Sequence, residues 1–191
     1  MAKLYFSYSA MNAGKSTILL QASHNYFERG MKTMIITSNL DNRVKKGEIT
    51  SRIGLSKAAE TFDDKTDILE LVKKFNAKNN ISCVLVDEAQ FLTHKQVWQL
   101  SNVVDKIRIP VMCYGLRTDF QGKLFSGSKI LLSIADEIRE IRTICHCGKK
   151  ATMVIRQDSN GKVIKSGAQI EIGGNEKYIS LCRLHWKQML G

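Results

Sequence analysis

The stretch that decides the fold is YSAMNAGKST, residues 8–17. The phosphate-binding pattern of nucleotide-binding proteins reads G-x-x-x-x-G-K-[ST]. Gly14, Lys15 and Ser16 match its last three fixed positions, whereas Ser9 stands where the pattern has its first glycine. In such a loop the backbone N–H groups surround an anion, the following helix adds its positive end, and the lysine reaches the outer phosphates. The stretch therefore predicts a nucleotide site with one departure, at Ser9.

The phosphate-binding motif requires a strand before it and a helix after it, and the hydrophobic periodicity on each side of this stretch predicts both. Residues 3–9 read as a strand, and residues 15–30 read as a helix closed by a glycine. Further strands are predicted at 33–38, 82–90 and 110–116, and further helices at 66–79 and 93–107. This alternation continues to about residue 140 and predicts an open parallel α/β sheet with helices on both faces. Such sheets bind ligands at the carboxyl ends of their strands.

A second informative stretch is SCVLVDEAQ, residues 82–90. Its nearly continuous apolar run is typical of a central strand buried on both faces, and it ends in Asp87 and Glu88. An acid at this position organises Mg2+ around the phosphates together with the serine of the loop, here Ser16. A second acid beside it accepts a proton from the attacking group. The two stretches together predict a protein that acts on Mg2+–ATP.

A third constellation lies in the last quarter of the chain, where CHC at residues 145–147 is followed by CRLH at residues 182–185. Zn2+ in structural sites takes four thiolate or imidazole ligands in a tetrahedron. The pattern predicts a closed, structural zinc site formed by Cys145, Cys147, Cys182 and His185. His146 could displace one of these ligands, but we expect it to point away between its neighbours. The alternative is three reduced cysteines without a metal.

Composition limits the class of protein. The chain has 191 residues, of which 43% are hydrophobic and 25% charged, as in globular proteins. It has no run of about 18 apolar residues and no secretory segment, so we expect a cytoplasmic protein without a membrane partner. Cys83 and Cys113 lie in apolar runs and are predicted to pack as small hydrophobic residues.

The net charge of +11 leaves a nucleic-acid partner open. One alternative is a nucleic-acid-stimulated ATPase, because VLVDEAQ is also typical of helicase-type motors, in which Glu88 would activate water. A motor needs two such α/β domains, however, and about 140 residues supply one. Another alternative is a zinc-containing nucleic-acid binder that is not an enzyme, for which the phosphate loop would be superfluous. Dispersed basic residues and an aromatic content of only 7% favour neither alternative.

Six stretches together resemble the type II (cytosolic, zinc-containing) thymidine kinases, bacterial members in particular. In family order and spacing they are YSAMNAGKST, SRIGL, VLVDEAQFL, YGLRTDFQGKLF, TICHCGKKATMVIR and IGGNEKYISLCRLH. The resemblance implies a P-loop, RecA-like domain at residues 1–142. It also implies a zinc-binding domain at residues 143–191, in which a "lasso" segment, about residues 165–177, closes over the nucleoside. The first-glycine departure is shared by the bacterial relatives.

The resemblance further implies an activity and partners. The γ-phosphoryl group of ATP would pass to the 5′-hydroxyl of thymidine, with deoxyuridine possible, to give dTMP in nucleoside salvage. ATP, Mg2+ and a structural Zn2+ would be required. Thymidine triphosphate would act as a feedback inhibitor, the protein would be a homotetramer, and no nucleic-acid partner is expected.

Residue roles carried over by position complete these expectations. Glu88 would be the catalytic base, assisted by Lys15 and Arg43. The residues expected to bind the nucleotide and Mg2+ are Ser9, Ala10, Met11, Asn12, Ala13, Gly14, Lys15, Ser16, Thr17, Asp41, Arg43, Asp87 and Gln90. The residues expected to enclose thymidine are Met11, Phe91, Leu116, Phe120, Phe125, Arg156, Ile170, Glu171, Ile172, Gly173 and Tyr178. The base edge would be recognised chiefly by backbone amides of residues 170–173.

Overall fold

The computed structural model describes residues 1–40, 47–170 and 177–191. Six strands form the main sheet: β1 (Leu4–Ser9), β2 (Thr33–Ser38), β5 (Glu60–Phe62), β6 (Cys83–Val86), β7 (Val111–Leu116) and β8 (Glu137–Glu140). A hairpin of β3 (Glu48–Thr50) and β4 (Ser56–Ala58) lies outside that sheet. The four helices that accompany the sheet are α1 (Lys15–Glu28), α2 (Ile68–Asn79), α3 (His94–Asn102) and α4 (Ser126–Ile134).

The strand order of the main sheet is β5-β2-β6-β7-β1-β8, and every pairing is parallel. The predicted parallel α/β sheet is therefore confirmed. The strand β6 is central, and each of its four residues is fully buried, as its apolar run predicted. The strand β7 separates β1 from β6, so the 9–17 segment and the acids after β6 emerge at the same carboxyl edge.

Helices cover both faces of this sheet, as expected. Strand side chains alternate between faces, so successive residues of β6 enter different cores. On one face Leu85 packs with Leu19 and Leu20 of α1. On the other face Val84 and Val86 join the core beneath the helices α2, α3 and α4; its apolar members include Val72, Leu100 and Leu131. The cysteines Cys83 and Cys113 are fully buried in these cores, which confirms their predicted role.

A smaller unit follows β8. It contains a two-stranded ladder of β9 (Thr143–Ile144) with β10 (Lys150–Ala151), and a three-stranded antiparallel sheet in the order β12-β11-β13. The strands of that sheet are β11 (Met153–Gln157), β12 (Val163–Ile164) and β13 (Tyr178–Leu181), and helix α5 (Arg183–Leu190) follows. Ile155, Leu181 and Cys182 form a separate small core. The division at residues 142 and 143 stays a prediction.

Two predicted elements end four or more residues earlier than expected. The strand predicted at 82–90 ends at Val86, because Glu88 adopts a left-handed backbone with φ of 52° and a 3-10 turn follows at Ala89–Phe91. The helix predicted at 93–107 ends at Asn102 and continues as a π-helical turn, Val103–Ile107. Within the described ranges, no helix has the length and apolar character needed to cross a membrane.

Candidate active site

The 9–17 segment connects β1 to α1 at the carboxyl edge of the sheet. Asn12 and Gly14 both adopt left-handed backbone conformations, with φ of 63° and 80°, and α1 begins at Lys15. Ser9 instead continues β1 opposite Leu116, so its position does not require the backbone freedom of glycine. The Ser9 hydroxyl accepts a hydrogen bond from Lys15 Nζ at 3.2 Å. The departure from the glycine pattern is therefore compatible with the loop geometry.

The first turn of α1 meets the end of β6. Ser16 Oγ donates to Asp87 Oδ2 at 2.7 Å, although the two residues are 71 positions apart in sequence. The other carboxylate oxygen of Asp87 accepts the Glu88 backbone N–H at 3.0 Å. Both acids are buried, Asp87 being 2% exposed and Glu88 7%. The fold thus brings together the hydroxyl and the carboxylate that the sequence predicted as a pair of oxygen ligands for Mg2+.

The electrostatics of Asp87 follow from this burial. Removal from water and the neighbouring Glu88 charge raise the pKa of Asp87 to about 6, although the Ser16 hydrogen bond and the Lys15 charge oppose the shift. A buried carboxylate of this kind is stabilised in its charged form by an adjacent cation. Asp87 therefore has the surroundings of a group that becomes fully ionised when a divalent cation binds.

The turn after the acids is held by α4. A Cβ on Gly127 in the first turn of α4 would lie 2.4 Å from the carbonyl oxygen of Ala89 and 2.9 Å from that of Leu92. Only glycine leaves room for this approach of the two backbones. Ser126 Oγ also donates to the Leu92 carbonyl at 3.3 Å. The helix α4 therefore fixes the loop that presents Glu88.

Aromatic residues lie next to this turn. Phe91 and Phe125 form an edge-to-face pair with their centroids 6.0 Å apart, and Phe125 is 5% exposed. The Phe120 ring is buried, and the Arg156 guanidinium lies 4.1 Å from its centroid. Leu116, another predicted nucleoside contact, is the last residue of β7 at the carboxyl edge of the sheet.

The small unit reaches the 9–17 segment through β13. Ser180 Oγ donates to the Met11 carbonyl, which joins two predicted site regions that are 169 positions apart. Tyr178 begins β13 and pairs with Arg156 on β11. Sequence reasoning did not identify Ser180, because an isolated serine in a short strand has no distinguishing pattern.

Hydrogen bonds from other parts of the chain hold the described residues of the lasso segment, residues 165–170. Arg156 Nη1 donates to the Ala168 carbonyl at 3.0 Å, so this predicted nucleoside contact also supports the segment. Gln169 Nε2 donates to Asp119 Oδ2 at 2.9 Å, and Asp119 is 3% exposed. Ile170 follows and is exposed. Asp119 and Gln169 were also missed, since Asp119 reads in sequence as an ordinary turn residue.

The four predicted zinc ligands converge. The ligand atoms of Cys145, Cys147, Cys182 and His185 all lie within 4.8 Å of one another. The His185 Nδ1 atom is 3.3 Å from the sulfur of Cys145 and 3.4 Å from that of Cys182, and the sulfurs of Cys147 and Cys182 are 3.9 Å apart. A tetrahedral zinc with bonds of about 2.0–2.3 Å separates its ligand atoms by roughly 3.5–3.8 Å. The cluster can therefore hold a zinc ion.

Some predicted contacts lie outside the described residues. These are Asp41 and Arg43 after β2, and Glu171, Ile172 and Gly173 in the lasso segment. Their roles stay predictions from the family resemblance.

The fold and the site define a parallel α/β protein, consistent with the P-loop class, with a small C-terminal unit whose cysteine and histidine cluster can hold zinc. The family model for thymidine kinase matches residues 2–186. A thymidine kinase of Agrobacterium fabrum is 64% identical over 97% of this chain and 96% of its own length. Those of Ruegeria pomeroyi and Haemophilus influenzae are 59% and 57% identical over the whole of this chain, and over 96% and 99% of their own lengths. The chain belongs to the thymidine kinase family.

Proposed function

We propose that this protein transfers the γ-phosphoryl group of ATP to the 5′-hydroxyl of thymidine. The observation that supports this most directly is the Ser16–Asp87–Glu88 arrangement at the carboxyl edge of the sheet, in a chain that matches the thymidine kinase family from residue 2 to residue 186. The helicase-type alternative loses support, because the relatives are named thymidine kinases and this chain matches each of them over 96% of its length.

In this proposal the phosphates of ATP lie against the backbone of residues 9–17. Successive N–H groups of the loop and the N-terminus of α1 surround them, and Lys15 moves its ammonium group from Ser9 to the outer phosphates. Ser16 and Asp87 would hold Mg2+, which would supply positive charge to neutralise the phosphates. Arg43 supplies further positive charge in the transition state.

Glu88 is the proposed general base. The 5′-oxygen of thymidine forms a bond to the γ-phosphorus while the bond from that phosphorus to the β–γ bridging oxygen breaks, and ADP leaves with the electron pair. The proton of the 5′-hydroxyl passes to the Glu88 carboxylate. Phosphoryl transfer depends chiefly on positioning and on charge stabilisation, so one carboxylate base is sufficient.

The acceptor is proposed to bind between the aromatic side chains near Glu88 and the lasso segment. Met11, Leu116 and the three phenylalanines would enclose the base, and Tyr178 would contact the nucleoside from β13. Backbone amides of residues 170–173 would recognise the base edge. Inhibition by thymidine triphosphate, a homotetramer and a cytoplasmic location belong to the same proposal.

The proposal is tested by offering purified protein Mg2+ and γ-labelled ATP with thymidine, with each other deoxynucleoside, or with single-stranded DNA. Label is expected on thymidine, and weaker labelling of deoxyuridine is compatible with the proposal. Release of free phosphate that depends on DNA, without labelled nucleoside, would contradict it and support the ATPase alternative.

The raised pKa of Asp87 predicts a pH dependence of metal binding. In the metal-free protein this pKa is about 6, so binding a cation below that pH requires the carboxyl group to lose its proton. The affinity for the metal should then fall up to about tenfold per pH unit below pH 6 and vary little between pH 7 and 8. Binding of Mn2+, a spectroscopically visible substitute, to the ADP-saturated protein measures this by electron paramagnetic resonance.

The matched control for that titration is Asp87→Asn, which removes the titrating group. This variant should bind Mn2+ more weakly and should lose less affinity between pH 7 and pH 5 than the parent does, because only the terminal phosphate of ADP still titrates in that range. An equally steep loss of affinity in the variant would show that a different group is responsible.

A further inference from the structure

Gln90 connects the carboxylate of Glu88 to the end of the neighbouring strand. Its side chain is only 1% exposed and lies in the 3-10 turn Ala89–Phe91. Its amide nitrogen donates to Glu88 Oε2. Its amide oxygen accepts the backbone N–H of Leu116 at 3.0 Å. One planar amide thus spans the gap between the proposed base and the last residue of β7.

The partners determine which way this amide faces. The Leu116 N–H can only donate, so the amide oxygen must lie toward it. The NH2 group of the same amide is then directed toward the carboxylate, where an ionised acid can only accept. The amide has no alternative orientation that satisfies both partners. Such a bond fixes a charged oxygen in place, because hydrogen bonds to ionised groups are stronger than neutral ones.

The sheet leaves room for this amide at Gly115. A Cβ at that position would lie 2.9 Å from Gln90 Oε1 and 3.0 Å from the Gln90 backbone nitrogen. The backbone of Gly115 lies in the regular part of β7, paired with Tyr8, so space and not backbone freedom accounts for the glycine. The close approach locks the turn against β7.

Glu88 needs such support, because its backbone is in the left-handed region and its side chain has several rotatable bonds. We propose that Gln90 is a positioning residue that orients the Glu88 carboxylate toward the acceptor hydroxyl, and that it does not bind ATP. This inference rests on the proposed function. It also replaces the nucleotide contact that the family resemblance implies for Gln90.

Two substitutions separate this role from general packing. Gln90→Met keeps the length of the side chain but removes both the donor to Glu88 and the acceptor for the Leu116 N–H, and Gln90→Leu removes the same two hydrogen bonds with a branched side chain. A carboxylate held about 1 Å from its productive position loses on the order of 10- to 100-fold in rate. We expect both variants to lower kcat by that factor, with KM for ATP and for thymidine within about threefold of the parent values.

Gln99→Leu is the matched control. Gln99 is also buried, at 8% exposure, and accepts one backbone N–H, that of Ile68 at 3.1 Å, but it lies on α3 away from the acids. Its replacement should lower the melting temperature about as much as Gln90→Leu does and leave kcat within about twofold. Gly115→Ala gives a second approach, because it displaces the amide without removing it, and it should lower kcat in the same way.

Each outcome decides the proposal. An unchanged kcat in the two Gln90 variants would overturn it, and so would an increase of tenfold or more in KM for ATP with kcat retained, which would assign Gln90 to nucleotide binding. A loss of kcat in Gln99→Leu equal to that in the Gln90 variants would overturn it as well, since the effect would then be general destabilisation. Labelling of thymidine by the parent protein tests the proposed function separately.

Discussion

Replacing Glu88 by glutamine is expected to lower kcat by about 100-fold or more, while ATP and thymidine still bind. The amide has nearly the shape of the carboxylate but cannot accept a proton, and general-base catalysis typically contributes 10²- to 10⁴-fold. The Glu88 carboxylate is 7% exposed and lies next to Asp87, so water is poorly placed to substitute as the base. Steady-state kinetics with both substrates varied measures the change in kcat and in each KM.

Glu140→Gln is the matched control for this variant. Glu140 also ends a parallel strand at the carboxyl edge, but there it pairs with Lys150 at 2.6 Å. Its replacement should change kcat by less than about twofold. Near-normal turnover in Glu88→Gln, with native stability, would remove the base role from Glu88. A large increase in KM for thymidine without loss of kcat would instead make Glu88 a binding residue.

Much of the fold was predictable because it depends on local patterns. The alternation of buried runs with amphipathic helices predicted a parallel sheet, and the two motif stretches predicted that Ser16 and Asp87 would meet. Strands of such a sheet place their carboxyl ends at one edge, so residues 71 positions apart become neighbours without any further signal. The convergence of the four potential zinc ligands followed from ligand chemistry in the same way.

Other contacts could not be predicted, because each depends on a single polar side chain that has many possible partners. Nothing in the sequence pairs Gln90 with the Leu116 N–H, or Gln169 with Asp119. The hairpin of β3 and β4 was also missed, since its strands of three residues are too short to show a period of two. Three-dimensional packing, and not propensity, selects these contacts.

Replacing Cys182 by alanine is expected to reduce bound zinc from about one ion per chain to less than about 0.2. The other three ligand atoms leave the fourth position to water, which weakens metal binding, and structural zinc provides much of the folding free energy of small units. Cys182 also follows β13, two residues after the Ser180 hydroxyl that binds the Met11 carbonyl. Loss of the metal should therefore loosen the acceptor side and raise KM for thymidine more than KM for ATP.

His146→Ala is the control for the zinc prediction, because His146 lies between two ligands yet is expected to point away from the metal. Its ring lies 4.3 Å from that of His185, and its Nδ1 atom lies 3.7 Å from the Cys145 sulfur. Its loss therefore removes contacts with two ligand residues but none of the four converging ligand atoms. Elemental analysis of protein purified without chelator should find about one zinc per chain in this variant. A full zinc content in Cys182→Ala would contradict the predicted ligand set, and loss of zinc in His146→Ala would assign the fourth position to that histidine.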